Sequence, residues 1–209
     1  LLNFKKNPTQ KNDSNKELEG FLEGYSIEVM PRTAEKVPCF QDIFPKGTRV
    51  YIAHIEGTPI GDMLKTAQKL AKEDYPVMPH FPARIIKDKT TLKEWILMYQ
   101  GEAGVDQALL LAGGVSKPSG EFENSMQLLE TGLFDTHAFK ILHVAGHPEG
   151  NKDIDPDGST KNVDSALSWK QKFSQRTDAK MALTTQFAFE AGSIIDWANG
   201  LRAAGIDIP

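Results

Sequence analysis

An α/β fold, a parallel sheet covered by helices, is what this sequence predicts, and three observations carry the prediction. Short β-rich segments alternate with stretches of helical hydrophobic period from residue 49 onward. Strand-like runs such as Gln107–Leu111 are continuously apolar after their first residue, as strands buried on both faces are. Several strands also place a polar group or a glycine late in the strand or just beyond it: Glu28, His54, His80, Gly113-Gly114, His147 with Glu149, and Gln186. Such groups converge on one mouth if the sheet closes into a barrel. About six strand–helix units can be counted where a closed barrel needs eight, so an open doubly wound sheet is the alternative architecture.

Taken in order, residues 1–20 are polar and lack the apolar core of a signal peptide, so they read as a flexible arm, with a short helix near Lys16–Phe21. Residues 21–209 read as the folded domain. Tyr25–Met30 is strand-like, and Pro31, Pro38, Pro45 and Gly47 keep any helix over 31–48 short or broken. Arg49–Ile55 is β-rich. Pro59–Asp74 carries Ile60, Met63, Leu64, Ala67, Leu70 and Ala71 on one face, a helical period with proline near its first turn. Pro76–Arg84 is a proline-interrupted strand. Thr91 and Glu94 have capping-box spacing ahead of Leu92, Trp95, Ile96 and Tyr99. Gln107–Leu111 is a strand, Asn124–Leu133 a shorter helix, Phe139–Ala145 a strand. A helix over Val163–Gln175 buries Ala166, Trp169 and Phe173. Strand 181–189 follows. Helix Ser193–Ala204 closes the chain, with Ser193 and Asp196 as its start signal and Gly205 as its stop.

Composition narrows the function classes. The chain has 209 residues, 40% hydrophobic and 25% charged, within the range of ordinary globular domains. A net charge of −4 supplies no basic surface for nucleic acid. No apolar run approaches the ~20 residues of a membrane helix. The only cysteine, Cys39, cannot pair within the chain, which fits a reducing, cytoplasmic setting. Homo-oligomer formation is compatible with all of this.

Two positions invite chemistry on residue type alone. Glu28 lies between Ile27 and Val29, and a carboxyl in apolar company has its charged form disfavoured, so its pKa is expected to rise toward that of a general acid. Its structural alternative is an ion pair with Arg32 or Arg49. Gln186, a polar amide near the exit of an apolar strand, sits where barrel strands present ligand-reading groups, or else is a core amide satisfied by backbone. The histidines have no second ligand at metal-binding spacing, and Asp153, Asp155, Asp157, Gly158 and Asp164 imitate a calcium loop that Pro156 and the absence of an upstream helix argue against, leaving an acidic turn.

Beyond type, seven fragments in order resemble those of methylenetetrahydrofolate reductases. The segment from Ser26 to Thr33 resembles "SFEFFPPRT", Pro79-His80-Phe81 "PHLT", and Leu110 to Gly114 "LALRGD". Val144 to Glu149 resembles "VAAYPE", Leu167 to Lys172 "LNLKRK", Thr185 to Glu190 "TQFFFD", and Ala203 to Pro209 "AAGIDVP". The resemblance implies a (β/α)8 TIM barrel, about six units of which lie in this chain, with Ile206–Pro209 leading into a seventh strand. It implies reduction of 5,10-methylenetetrahydrofolate to 5-methyltetrahydrofolate through FAD, with NADH or NADPH as electron donor and a reduced folate as substrate, a step of one-carbon metabolism that feeds methionine biosynthesis. By resemblance Glu28 is the acid that protonates a folate nitrogen and Gln186 holds the pterin. His54, His80, Ala112, Gly113, Gly114, His147, Ser168, Gln171 and Lys172 fall at flavin-contacting positions.

The same alignment carries departures. Ala112-Gly113-Gly114 replaces an arginine and an aspartate, His147 replaces a tyrosine, and Ser168 and Gln171 replace an asparagine and an arginine. Folate-side residues persist where flavin-side residues change, so a flavin-independent folate enzyme and a non-catalytic folate-binding subunit stand as alternatives.

Overall fold

A computed structural model describes residue 20 and residues 22–209. The helix expected near residues 16–21 lies outside that range but for one residue. The element order is β1 (Ser26–Val29), a single turn α1 (Pro31–Ala34), β2 (Arg49–Ile52), α2 (Ile60–Lys72), β3 (Val77–Pro82) and α3 (Lys89–Ala103). Then come β4 (Gln107–Leu111), α4 (Ser125–Glu130), α5 (Leu133–Thr136), β5 (Ile141–Gly146), α6 (Lys161–Ser174), β6 (Lys180–Thr185) and α7 (Ala191–Ala203).

The six strands pair in sequence order, all parallel, β1 through β6. A doubly wound sheet reverses its order at a switch point; this one never does, which rules out that alternative. Uniform progression curls the sheet into a half-barrel.

Side-chain alternation along each strand sorts the two faces. Val50, Ile52, Val77, Phe81, Ala108, Leu110, Leu142 and Val144 face the helices in one buried cluster. On α2, Met63, Leu64, Ala67 and Leu70 supply the matching face, as the helical period predicts. Phe81 meets Tyr99, Phe134 and Phe139 edge-on at centroid distances of 5.5, 5.3 and 6.4 Å. Truncating a ring so enclosed costs about 3–5 kcal/mol. The hydroxyl of Tyr99 is buried there with no partner among the described residues. The opposite, concave face carries a smaller cluster, Tyr51, Met78 and Leu109, flanked by Leu111 and Ile141.

Several boundaries differ from expectation for local reasons. Helix α3 starts at Lys89, because Asp88 accepts the Thr91 N–H at 2.8 Å; Asp88 is the cap, and Thr91 lies inside the first turn. The helix expected over Asn124–Leu133 is two, broken where Gly132 adopts φ +69°. Helix α7 begins at Ala191 without a side-chain cap, so Ser193 is not its start, whereas Gly205 at φ +73° follows its end as expected. Strand β6 stops at Thr185 and lies at the edge of the sheet, so residues 186–189 are not the buried strand that their apolar character suggests. Phe187 and Phe189 are 74% and 92% exposed.

The chain's last residues return to the sheet. Ile206 and Ile208 are buried, and the Leu183 N–H donates to the Pro209 carbonyl at 2.7 Å, alongside β6. Among the described residues no helix is long and apolar enough to cross a membrane.

Candidate functional site on the concave face

Strand register decides which polar groups meet. Glu28 pairs with Tyr51, Tyr51 with Met78, His80 with Leu109, Leu109 with His143, and His143 with Ala182. These positions share one face, so the concave surface carries a line of polar side chains through an otherwise apolar lining.

At one end, Glu28 Oε2 lies 3.2 Å from His80 Nε2. The ring nitrogen is sealed from solvent and makes no aligned hydrogen bond along this contact. Glu28 stands in front, its side chain 57% exposed, with His80 buried behind it. Contact with His80 holds the Glu28 carboxyl below its ordinary pKa, against the opposing effect of partial burial. This corrects the expected upward shift. Apolar neighbours in sequence point to the helices, whereas Glu28 points the other way, toward an imidazole. Neither Arg32 nor Arg49 is its partner; Arg49 donates to Gln107 Oε1 at 2.8 Å.

Deeper in the face, the Tyr51 hydroxyl lies 2.7 Å from His143 Nδ1, with Thr184 Oγ1 at 3.3 Å from the same nitrogen. Burial, aided by the Arg49 charge, pushes the His143 pKa down to about 4, so the ring is neutral at physiological pH. Tyr51 also meets the His80 ring edge-on at 6.2 Å, linking the two pairs.

The other expected site residues scatter. His54 turns to the helix side, its ring stacked on Trp95 at 5.0 Å and its Nε2 3.0 Å from the Thr58 carbonyl; burial lowers its pKa. Ala112 gives its carbonyl to the Arg84 N–H. Gly113 takes φ +95°, where an added Cβ would meet Pro82 at 3.1 Å, while Gly114 borders open space. His147 is half-buried beyond β5, its pKa lowered by burial and then by Lys170. Ser168 is exposed and donates to the Asp164 carbonyl of its own helix. Gln171 is buried and accepts the N–H groups of Asp207 and Ile208 at 2.9 and 3.3 Å. Lys172 is exposed. Gln186 is exposed as well, its Oε1 accepting the N–H of Phe187, so it is not a buried core amide.

Sequence reasoning passed over Tyr51, His143, Thr184 and Lys170. Lys170 is 5% exposed and donates to the Ala145 carbonyl at the end of β5 at 2.7 Å; burial lowers its pKa to about 8. The signal was present: Val163, Leu167 and Lys170 recur at helical spacing, so Lys170 sits on the buried face.

Two other features lie apart. Asp155, 2% exposed, accepts the N–H groups of Asn162 and Val163, so the acidic loop serves as the cap of α6. Among the described residues, no group of three or more His, Cys, Asp or Glu could hold a metal. A cleft of about 770 Å³ opens between α1 and the start of α2, lined by Met30, Arg32, Ile55, Thr58 and Asp62 among others.

A carboxylate backed by an imidazole can hold and pass one proton at the mouth, and a neutral histidine fixed by a phenol can present a directed hydrogen bond. Among protein-family models, none matches this chain.

Proposed function

We propose that this chain is part of a methylenetetrahydrofolate reductase-like (β/α)8 barrel that binds a reduced folate against its concave face. In this reading the Glu28–His80 pair delivers a proton to a folate nitrogen. The observation that carries it is the 3.2 Å contact of Glu28 with His80, on the face where the resemblance puts an acid. Because the His80 contact favours the ionised carboxyl, Glu28 alone is a poor proton store. In this reading Glu28, exposed at the front of the pair with His80 packed behind it, is the group that carries the proton to the ligand. A folate covering the mouth strips water from Glu28, which raises its pKa and favours the protonated, proton-donating form.

The residues at flavin positions do not fit FAD. Ser168 Oγ and Gln171 Oε1 bond to the protein itself, His54 packs on Trp95, and Ala112-Gly113-Gly114 offers no side-chain charge. No step is therefore derived through flavin or a nicotinamide donor. These placements favour a second reading, a flavin-independent folate enzyme of one-carbon metabolism, over flavin-dependent reduction.

Protein purified without added cofactor, titrated with tetrahydrofolate and separately with FAD, tests both. Saturable folate binding with weak or substoichiometric flavin is expected. Tight stoichiometric FAD would restore the reductase reading, and absence of folate binding would remove both.

A further inference from the structure

We propose that His143 is a ligand-facing hydrogen-bond donor of the concave face and that Tyr51 is the residue that positions it. The ligand class is a planar heterocycle bearing a carbonyl or ring-nitrogen acceptor; its identification as a folate rests on the preceding reading. The Tyr51 hydroxyl is buried and needs an acceptor, and its partner among the described residues is His143 Nδ1 at 2.7 Å. The short 2.7 Å separation suits the O–H donating to the Nδ1 lone pair. A neutral imidazole with a bare Nδ1 carries its proton on Nε2. Thr184 Oγ1, 3.3 Å from Nδ1, is a second hydroxyl on that side of the ring.

The Nε2–H is thereby left without a protein partner among the described residues. It is also absent from the sealed, unpaired atoms, so it keeps contact with the open side of the sheet. Register puts His143 on that face, on β5 between Leu109 of β4 and Ala182 of β6. Its neighbours Leu109 and Ile141 are apolar, and Tyr51 and Met78 continue the lining. One directed donor in an apolar lining is the usual layout of an orienting contact in a small-molecule site.

The test separates the two ring nitrogens. Asparagine at 143 places its amide near the Nδ1 position, glutamine near Nε2. Two-bond ¹H–¹⁵N spectra of the histidine-labelled parent should show the Nε2-protonated tautomer, and tetrahydrofolate should shift that resonance. His143→Gln should keep folate affinity within about twofold, whereas His143→Asn should weaken it roughly tenfold, the loss of one hydrogen bond. A purely structural role, as acceptor for Tyr51, predicts the reverse order. An Nδ1-protonated ring in the parent, an unmoved Nε2 resonance with folate bound, or rescue by Asn and not Gln overturns the proposal. The parent spectrum decides the tautomer even if both variants unfold. A parent that binds no tetrahydrofolate removes the folate reading and this role with it; a parent that binds with both variants unchanged removes this role alone.

Discussion

Glu28 and His80 come from strands that are not neighbours, β1 and β3, yet their side chains meet at 3.2 Å because the curl of the sheet brings the concave-face residues of both toward one another. Substituting Glu28 with Gln keeps size and removes the ionisable group that would carry the proton. Turnover with a folate substrate should fall about 10²–10⁴-fold with folate affinity little changed. Unaltered turnover would return Glu28 to a structural contact.

Gln186 gives a different separation. The side chain is exposed and bonded only to its own neighbour's N–H, so Gln186→Ala should leave thermal stability within about 0.5 kcal/mol. Folate affinity should nevertheless drop by about 1–3 kcal/mol if the amide closes onto the pterin on binding. Parallel melting and titration curves check this, and equal dissociation constants would remove Gln186 from the site.

Acidification should destabilise the fold through His143. Its folded pKa, about 4, lies below the ordinary value of 6.5, so the unfolded chain binds the proton more readily between those values. Stability contributed by the neutral ring is present above 6.5 and is lost progressively as pH falls toward 4. His143→Gln should flatten this part of the stability–pH curve, measured by denaturant unfolding at stepped pH. A curve of unchanged slope would mean the ring titrates normally.

Tyr99 offers a stabilising substitution. Its hydroxyl is buried without a partner, and burial raises its pKa. Tyr99→Phe keeps the contact with Phe81 and deletes the unpaired group, so stability should be unchanged or rise by about 1 kcal/mol. A loss exceeding 1 kcal/mol would point to an ordered water on the oxygen.

How much of this was legible can be judged residue by residue. Helix α2 could be read because Met63, Leu64, Ala67 and Leu70 repeat at a period that chemistry alone reveals. The start of α3 was misassigned because Thr91 and Asp88 are both good caps, and only backbone geometry chooses between them. The burial of residues 186–189 was overestimated because apolarity does not say whether a strand is internal or at an edge. Tyr51 and His143 stayed hidden because they are 92 positions apart, and sheet register, which no local pattern encodes, joins them. Glu28 was located by its setting, but its charge state was set by His80, which sequence proximity could not show.

The unbroken strand order has a consequence for how the chain assembles and breathes. Each strand needs only the next one in sequence as its partner, so no pairing must wait for distant ends to meet. Folding can advance by addition of one unit at a time, and opening can retreat the same way. Amide exchange should then be slowest in β3 and β4 and quicken toward β1 and β6, a gradient running outward from the middle of the sheet. Glu28 lies on one fraying strand and Thr184 on the other, while His80 sits on the slow interior. A ligand spanning the concave face would tie the two loose ends to the firm centre, and its binding should slow exchange most in β1 and β6.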